Sequence, residues 1–186
     1  MTIKQWLFEN QSENNMRVFN SMLKWLDGSF RRTINDPDKL VEGSGIQPGQ
    51  KVLEIGCGSG YFTIPAALHL GENGQLVSVD LHPAAVAETQ RKVDAAGLTN
   101  VIVQREDALH TSFDDQSFDL VLLYGVVPAP VVPTAEVSRE IHRLLKPGGM
   151  YAIWTMVPLW KPVDAIKAAS FKELPAVNGV FRLQKI

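Results

Sequence analysis

The segment KVLEIGCGSGYFTIPAALHL, residues 51–70, constrains this chain more than any other part of it. A short apolar run suited to a buried strand, KVLEI (51–55), meets Gly56, Gly58 and Gly60, and the residues from Tyr61 to about Leu70 then read as a helix. Glycine is needed at such a strand-to-helix turn because the backbone takes angles that a Cβ penalises, and because a ligand must come close to the main chain. A glycine triplet by itself is weak evidence. A strand before it, a helix after it and an acidic residue, Asp80, ending the next strand about 20 residues on form the context that a nucleoside-type ligand requires.

The rest of the chain repeats the alternation. QLVSVD (75–80), NVIVQ (100–104), DLVLLY (119–124) and MYAIWTMV (150–157) read as further strands. Between them, Pro83 suits the first turn of a helix ending at Gly97, DDQS is turn-like, and Glu136 to Leu145 places Val137, Ile141, Leu144 and Leu145 on one helical face. Lys146-Pro147-Gly148-Gly149 is expected to stop that helix. Strands that are apolar throughout, alternating with helices, indicate a parallel sheet covered on both faces. FKELPAV and VFRLQKI flank Asn178-Gly179, a strong hairpin signal, so an antiparallel pair should close the sheet. The expected fold class is α/β, a Rossmann-like doubly wound sheet with an antiparallel C-terminal edge hairpin and an N-terminal helical extension. Residues 1–45 are assigned to that extension, a lid, and 46–186 to the ligand-binding domain. Met16, Phe19, Leu23, Leu26 and Phe30 recur at helical spacing in the extension, and Asp38 to Glu42 suggests a short helix.

Spacing and charge separate two ligand classes. The triplet is G-x-G-x-G with Tyr61 where a dinucleotide fingerprint wants its third glycine. Glu54 stands just before the turn, where a carboxylate repels a pyrophosphate and favours an ammonium. Acidic residues at or just beyond the ends of the first three strands, Glu54, Asp80 and Asp107, suit a cationic ligand such as S-adenosylmethionine. The bland alternatives are an ion pair for Glu54 and a turn cap for Asp107. Cys57, inside the turn, is a small filler by residue type, with no sequence neighbour to activate it.

VLEIGCGSG, the acidic end of VSVDLH, REDALHTSFDDQSFDLV and LLKPGGMYAIW, in that order, resemble the successive motifs of class I S-adenosylmethionine-dependent methyltransferases, most closely the ubiquinone/menaquinone-biosynthesis group. The resemblance runs from about Lys51 to Val157. It implies that Glu54 and the turn from Gly56 through Cys57 and Gly58 to Gly60 hold the methionine portion, that Asp80 takes the ribose hydroxyls, that Leu81 packs on adenine, and that Asp107 with the Ala108 amide reads the adenine edge. The chain departs from many such relatives after the fourth strand, where it reads YGVVPAPVVP without a histidine.

Methyl transfer from a sulfonium needs alignment and desolvation more than a dedicated base. Tyr124, at the end of the fourth strand, is a candidate for contact with cofactor or acceptor, or else closes a buried strand. His110 is the candidate base should the acceptor carry a proton. No histidine pair has metal-ligand spacing. The core carries no insert long enough for a lid, so cover is expected from the N-terminal segment, with its Trp6, Phe8 and Trp25, or from a partner chain in a homodimer.

Eighteen basic against 20 acidic residues give a net charge of −2, which supports no polyanion-binding surface and no nucleic-acid partner. A single cysteine excludes an intrachain disulfide and fits a reducing compartment. No apolar run reaches the ~20 residues of a membrane span, so a cytoplasmic protein acting on a small-molecule methyl acceptor is expected. The competing readings are an NAD-dependent oxidoreductase on a similar sheet and a non-catalytic S-adenosylmethionine-binding module.

Overall fold

The computed structural model describes Ser21 and residues 34–127 and 132–186. The expected helix at 3–9, that at 14–30 apart from Ser21, and residues 128–131 after the fourth strand lie outside the described residues. Element order is α1 (Pro37–Gly43), β1 (Lys51–Ile55), α2 (Thr63–Leu70), β2 (Gln75–Asp80), α3 (Pro83–Ala95), β3 (Val101–Arg105), β4 (Phe118–Tyr124), α4 (Thr134–Leu144), β5 (Leu145–Trp154), α5 (Val163–Ala168), β6 (Phe171–Val177) and β7 (Val180–Lys185). The strands form one sheet in the order β3-β2-β1-β4-β5-β7-β6. The first five run parallel, and β7 enters antiparallel between β5 and β6. The Rossmann-like α/β reading holds.

Each half-turn of the chain outward from β1 stops at β3, and the chain then returns to lay β4 on the other side of β1. That reversal is a topological switch point, the place where ligands bind in open α/β sheets. Two apolar layers cover the sheet. Leu40 and Val41 of α1 and Ala66, Ala67 and Leu70 of α2 pack with Val52, Leu76, Leu120 and Leu122 on one face. Val137, Ile141 and Leu144 of α4 and Ala165 of α5 pack with Leu53, Val77, Val121 and Ile153 on the other. Alternate residues of each strand feed the two layers, which is why the strands read as continuously apolar.

Local chemistry fixes the ends of the elements. Asp36 caps α1, its carboxylate accepting the amides of Asp38 and Lys39. His82 caps α3 through Nδ1, which accepts the Ala84 amide at 3.1 Å, and Pro83 follows at the first helical position. Asn178 and Gly179 both have positive φ, 52° and 79°, the primed turn that matches strand twist in a two-residue hairpin. β6 lies at the sheet edge, where Lys172, Glu173 and Pro175 discourage further pairing.

Several boundaries differ from expectation, most of all around α4 and β5. The segment Lys146–Gly149 does stop α4, yet it also belongs to β5, which begins at Leu145 and ends at Trp154 rather than running to Val157. The partners step from Phe118↔Leu145 to Leu120↔Met150, so the breaker residues are absorbed as an irregularity in the ladder. α4 begins at Thr134, two residues early, directly after Pro133. The short helix α5 was not expected, because six residues are too few to display a period.

Candidate functional site

The glycine turn lies at the switch point, built as the sequence suggests. Gly56, Gly58 and Gly60 have φ of 79°, 56° and 75°, angles unfavourable to any residue with a Cβ. The amides of Gly56 and Cys57 both donate to the Val79 carbonyl, at 2.8 and 3.0 Å, which ties the turn to β2. The three glycines then do different work. A Cβ on Gly56 would run into the side chain of Val126, which follows β4 across the switch point. A Cβ on Gly60 would stand 3.3 Å from Thr89 Oγ1, so Gly60 permits the close approach of α3. At Gly58 nothing lies within 4 Å, and this glycine borders open space that a ligand can enter.

Asp80 ends β2 and faces the turn. Its Oδ2 accepts the Gly58 amide at 3.0 Å and its Oδ1 accepts the His82 amide at 2.9 Å. Each oxygen keeps a further lone pair for hydroxyl donors. Burial raises the Asp80 carboxyl above its ordinary value, and the backbone donors from His82, Gly58 and Leu81 oppose that rise. Thr89 Oγ1 donates to the Gly58 carbonyl at 3.1 Å and so fixes the tip of the turn from α3.

Glu54, expected to hold the methionine portion of a ligand together with the turn, is a buried, hydrogen-bonded carboxyl. It is 2% exposed, and its Oε2 accepts two hydroxyls at 2.6 Å, from Thr63 at the start of α2 and from Ser78, its register partner on β2. Burial pushes its carboxyl up to about 7; the Ser78 and Thr63 hydroxyls lower it and the Asp80 charge raises it further. Thr63 and Ser78 were missed by sequence reading. A hydroxyl in the otherwise apolar run QLVSVD was the available signal.

Cys57 is buried, and burial followed by the charges of Glu54 and Asp80 drives its thiol far above the ordinary range. It is a packing residue of the turn with no thiolate chemistry. Leu81 is half-buried, its carbonyl accepting Arg105 Nε at 2.8 Å. Asp107 and Ala108 follow β3, held near Asp80 by the Glu106 amide, which donates to the Asp80 carbonyl at 3.2 Å. Asp107 Oδ1 accepts the Leu109 amide and its carbonyl accepts the His110 amide, so the residue does cap a turn.

The two catalytic candidates adjoin this site at different points, Tyr124 within reach of the Glu54 charge and His110 beside Asp107. The Tyr124 hydroxyl donates to the Leu40 carbonyl at 2.9 Å, and its ring packs edge-on against Phe62 at 5.0 Å and Trp154 at 6.5 Å. Burial raises its phenol well above the ordinary range. The geometry is that of a residue closing a buried strand. His110 is exposed, on a cleft of about 370 Å³ shared with Leu109, Glu136, Arg139, Glu140 and Arg143. Arg143 there is engaged by Glu140, Asp115 and the Phe113 carbonyl. Among the described residues there is no group of three or more His, Cys, Asp or Glu side chains that could hold a metal, and no helix long and apolar enough to cross a membrane.

Comparison with known proteins identifies the family and the fold. A family profile described as a methyltransferase domain matches residues 46–181. A demethylmenaquinone methyltransferase of Geobacillus stearothermophilus is 33% identical over 145 residues, covering 77% of this chain and 58% of the relative. A 2-phytyl-1,4-naphtoquinone methyltransferase of Synechococcus elongatus is 36% identical over 126 residues, covering 66% of this chain and 53% of the relative. The chain thus spans little more than half the length of these curated relatives. A SAM-dependent methyltransferase from Aquifex aeolicus has the same fold, with a TM-score of 0.72 at 22% identity over 88% of this chain and 96% of that one.

Proposed function

Because the chain belongs to the methyltransferase-domain family, we propose that it binds S-adenosylmethionine at the Gly56–Gly60 turn and methylates a small-molecule acceptor, as a member of the group that resembles the ubiquinone and menaquinone biosynthesis methyltransferases. One observation carries this reading: Gly58, at positive φ with open space beyond it, lies within hydrogen-bond reach of the carboxylate that ends β2.

The residues fit that ligand. Gly58 leaves the main chain approachable, and Asp80 offers a carboxylate with spare lone pairs to a ribose diol. Glu54 and Asp80 place two carboxyl groups beside the turn, and a pyrophosphate brought to the same place would add repulsion that a cationic ligand would not. Leu81, Asp107 and Ala108, at the ends of adjacent strands β2 and β3, are assigned to the adenine end. Bound S-adenosylmethionine would supply a methyl group on a sulfonium, transferred by direct displacement. The chain's own part is to orient the donor, keep water out and hold the acceptor in line.

A quinone-type acceptor is supported by the names of the relatives, demethylmenaquinone and phytyl-naphthoquinone methyltransferases. Neither Tyr124, engaged with Leu40, nor His110, out on the α4 cleft, is assigned a proton-transfer role. The test is incubation of the protein with a methyl-labelled donor and a cell extract, followed by mass spectrometry. Label in a quinone-like product supports the reading in full; label in protein or nucleic acid alone would overturn the acceptor assignment. Calorimetry with S-adenosylhomocysteine and NAD decides the cofactor, and tighter binding of NAD would overturn it.

A further inference from the structure

The loop of residues 106–117, which joins β3 to β4 and carries Asp107 and Ala108, is held against α4 by two charged side chains. Residues 107–110 close into a turn of their own. Asp107 Oδ1 accepts the Leu109 amide, the Asp107 carbonyl accepts the His110 amide, and the two ends pair as a single antiparallel bridge. The turn hangs between two supports. On one side the Glu106 amide donates to the Asp80 carbonyl at 3.2 Å, which ties it to the end of β2. On the other the Thr111 amide and hydroxyl both donate to Glu140 Oε1, at 3.0 and 2.7 Å. Arg143, one turn further along α4, grips both oxygens of Glu140, with Nε to Oε2 at 2.9 Å and Nη2 to Oε1 at 2.7 Å, and its Nη1 reaches on to the Phe113 carbonyl and to Asp115. Leu109 and Phe113 lean on the core, but toward α4 the packing is broken by the cleft of about 370 Å³, lined by Leu109 and His110 on the loop and by Glu136 and Arg139 on the helix. Along that side the loop is located by hydrogen bonds, which are directional where apolar contact is not. The Glu140 side chain is only 11% exposed, so solvent and salt screen these bonds little. Burial acts to raise its carboxyl, but the Arg143 and Thr111 donors outweigh burial and hold it below the ordinary value, so the link is charged at neutral pH.

Resting on the assignment of Asp107 and Ala108 to the adenine end of an S-adenosylmethionine site, we propose that Glu140 is a positioning residue: through Thr111 it fixes the 107–110 turn, and so sets the preference of the site for adenine over other purine bases. The preference depends on placement. A carboxylate at Asp107 suits the exocyclic amine of adenine, and a backbone N–H at Ala108 suits the adjacent ring nitrogen. Hypoxanthine presents a carbonyl and a ring N–H at the same two positions, so both contacts are reversed. A displaced turn forfeits the two bonds to adenine, whereas a base that never made them has little to lose. Glu140 acts at one remove, with Thr111 as the link.

The test is calorimetry of the full chain with S-adenosylhomocysteine and with S-inosylhomocysteine, which differs from it only in the base, the weaker ligand being read by its competition with the stronger. The parent should prefer the adenine ligand. Glu140→Ala should weaken S-adenosylhomocysteine about tenfold and leave S-inosylhomocysteine within about twofold, so that the preference shrinks by most of that factor. Thr111→Val, which loses the hydroxyl but keeps the amide bond to Glu140, should move the ratio in the same direction, and Thr111→Ser should retain the parent's preference. A loss of folded protein would lower both affinities together and leave their ratio alone, so the ratio separates positioning from stability, and thermal melting identifies a variant that has not folded. Should Glu140→Ala fail to fold, the two Thr111 variants carry the same comparison. Parallel weakening of both ligands in a folded variant, or an unchanged ratio, overturns the positioning role, as does a Thr111→Ser chain that behaves like Thr111→Val. Equal binding of the two ligands by the parent overturns the adenine assignment and this inference with it, while the cofactor reading stands. Failure of the parent to bind either ligand overturns the cofactor reading as well.

Discussion

The Asp80 carboxylate accepts the Gly58 amide at 3.0 Å, joining the end of β2 to the tip of the turn that follows β1. One side chain therefore shapes the turn and borders the proposed ligand site. Asp80→Ala is expected to weaken S-adenosylhomocysteine binding by about 1–3 kcal/mol, the range for a charge-assisted hydrogen bond lost from a partly buried site. Because the His82 amide also loses its acceptor, the melting temperature of the ligand-free variant should fall as well. Calorimetry and thermal melting separate the two effects. Undiminished binding would remove Asp80 from the ligand site.

Two glycines of the same turn should respond differently to the same change. Gly58→Val adds bulk where nothing lies within 4 Å, so it should abolish cofactor binding while circular dichroism stays close to the parent. Its positive φ adds roughly 1–2 kcal/mol of backbone strain. Gly60→Val meets Thr89 at the α3 contact, so it should lower the melting temperature further than Gly58→Val does. Normal binding by Gly58→Val would mean that the ligand lies elsewhere.

Much of this site was legible because it is local in sequence. The strand, glycine turn and helix from Lys51 to Leu70 carry their own signals, and Asn178-Gly179 marks its hairpin in two residues. Longer-range relations were not legible. Glu54 invites assignment to a ligand's ammonium, but its hydroxyl partners Thr63 and Ser78 come from a helix and a strand that only the fold brings to it. Tyr124 ends a strand at the carboxyl edge of the sheet, yet its hydroxyl turns to Leu40 of α1, which no period or motif announces. β5 begins early for a related reason: Pro147 and two glycines read as a stop, and the ladder accommodates them through a register shift against β4.

Stability should vary with pH in two opposed ways. Glu140, beside Arg143, and Asp119, beside Lys146, have carboxyls held below their ordinary values, so their stabilisation is present above that range and is lost as pH falls through the folded values. Glu54 has the opposite sign. Its carboxyl rises from 4.5 to about 7, so the folded chain binds the proton more tightly than the unfolded chain, and stability is lost as pH rises through that window. The loss amounts to roughly 3 kcal/mol at most. Denaturant titrations of the ligand-free chain should therefore show stability declining from pH 5 to 8, and Glu54→Gln should remove most of the decline. A parent chain whose stability is flat across that interval would contradict the placement of Glu54.

The final prediction concerns the cover of the site. The Tyr61 hydroxyl, one residue past Gly60, donates to the Asn35 carbonyl at 2.7 Å, so the N-terminal segment joins the domain beside the glycine turn. From there α1 packs into the core through Leu40 and Val41, and Ile34, just upstream, is 64% exposed. A reacting sulfonium needs water excluded, and the described β-strand connections offer no insert of the length a lid requires. We propose that residues 1–34 form a helical cover, with Met16, Phe19, Leu23 and Leu26 on the face that docks. Amide exchange in this segment should slow when S-adenosylhomocysteine is added, and removal of residues 1–33 should depress methyl transfer far more than the melting temperature. The Tyr61→Phe variant, which loses the tie to Asn35 while keeping the ring, should show a smaller slowing with its fold unchanged. Exchange in residues 1–34 that ignores saturating ligand would eliminate the cover and leave the segment as a packing element or a contact between two chains.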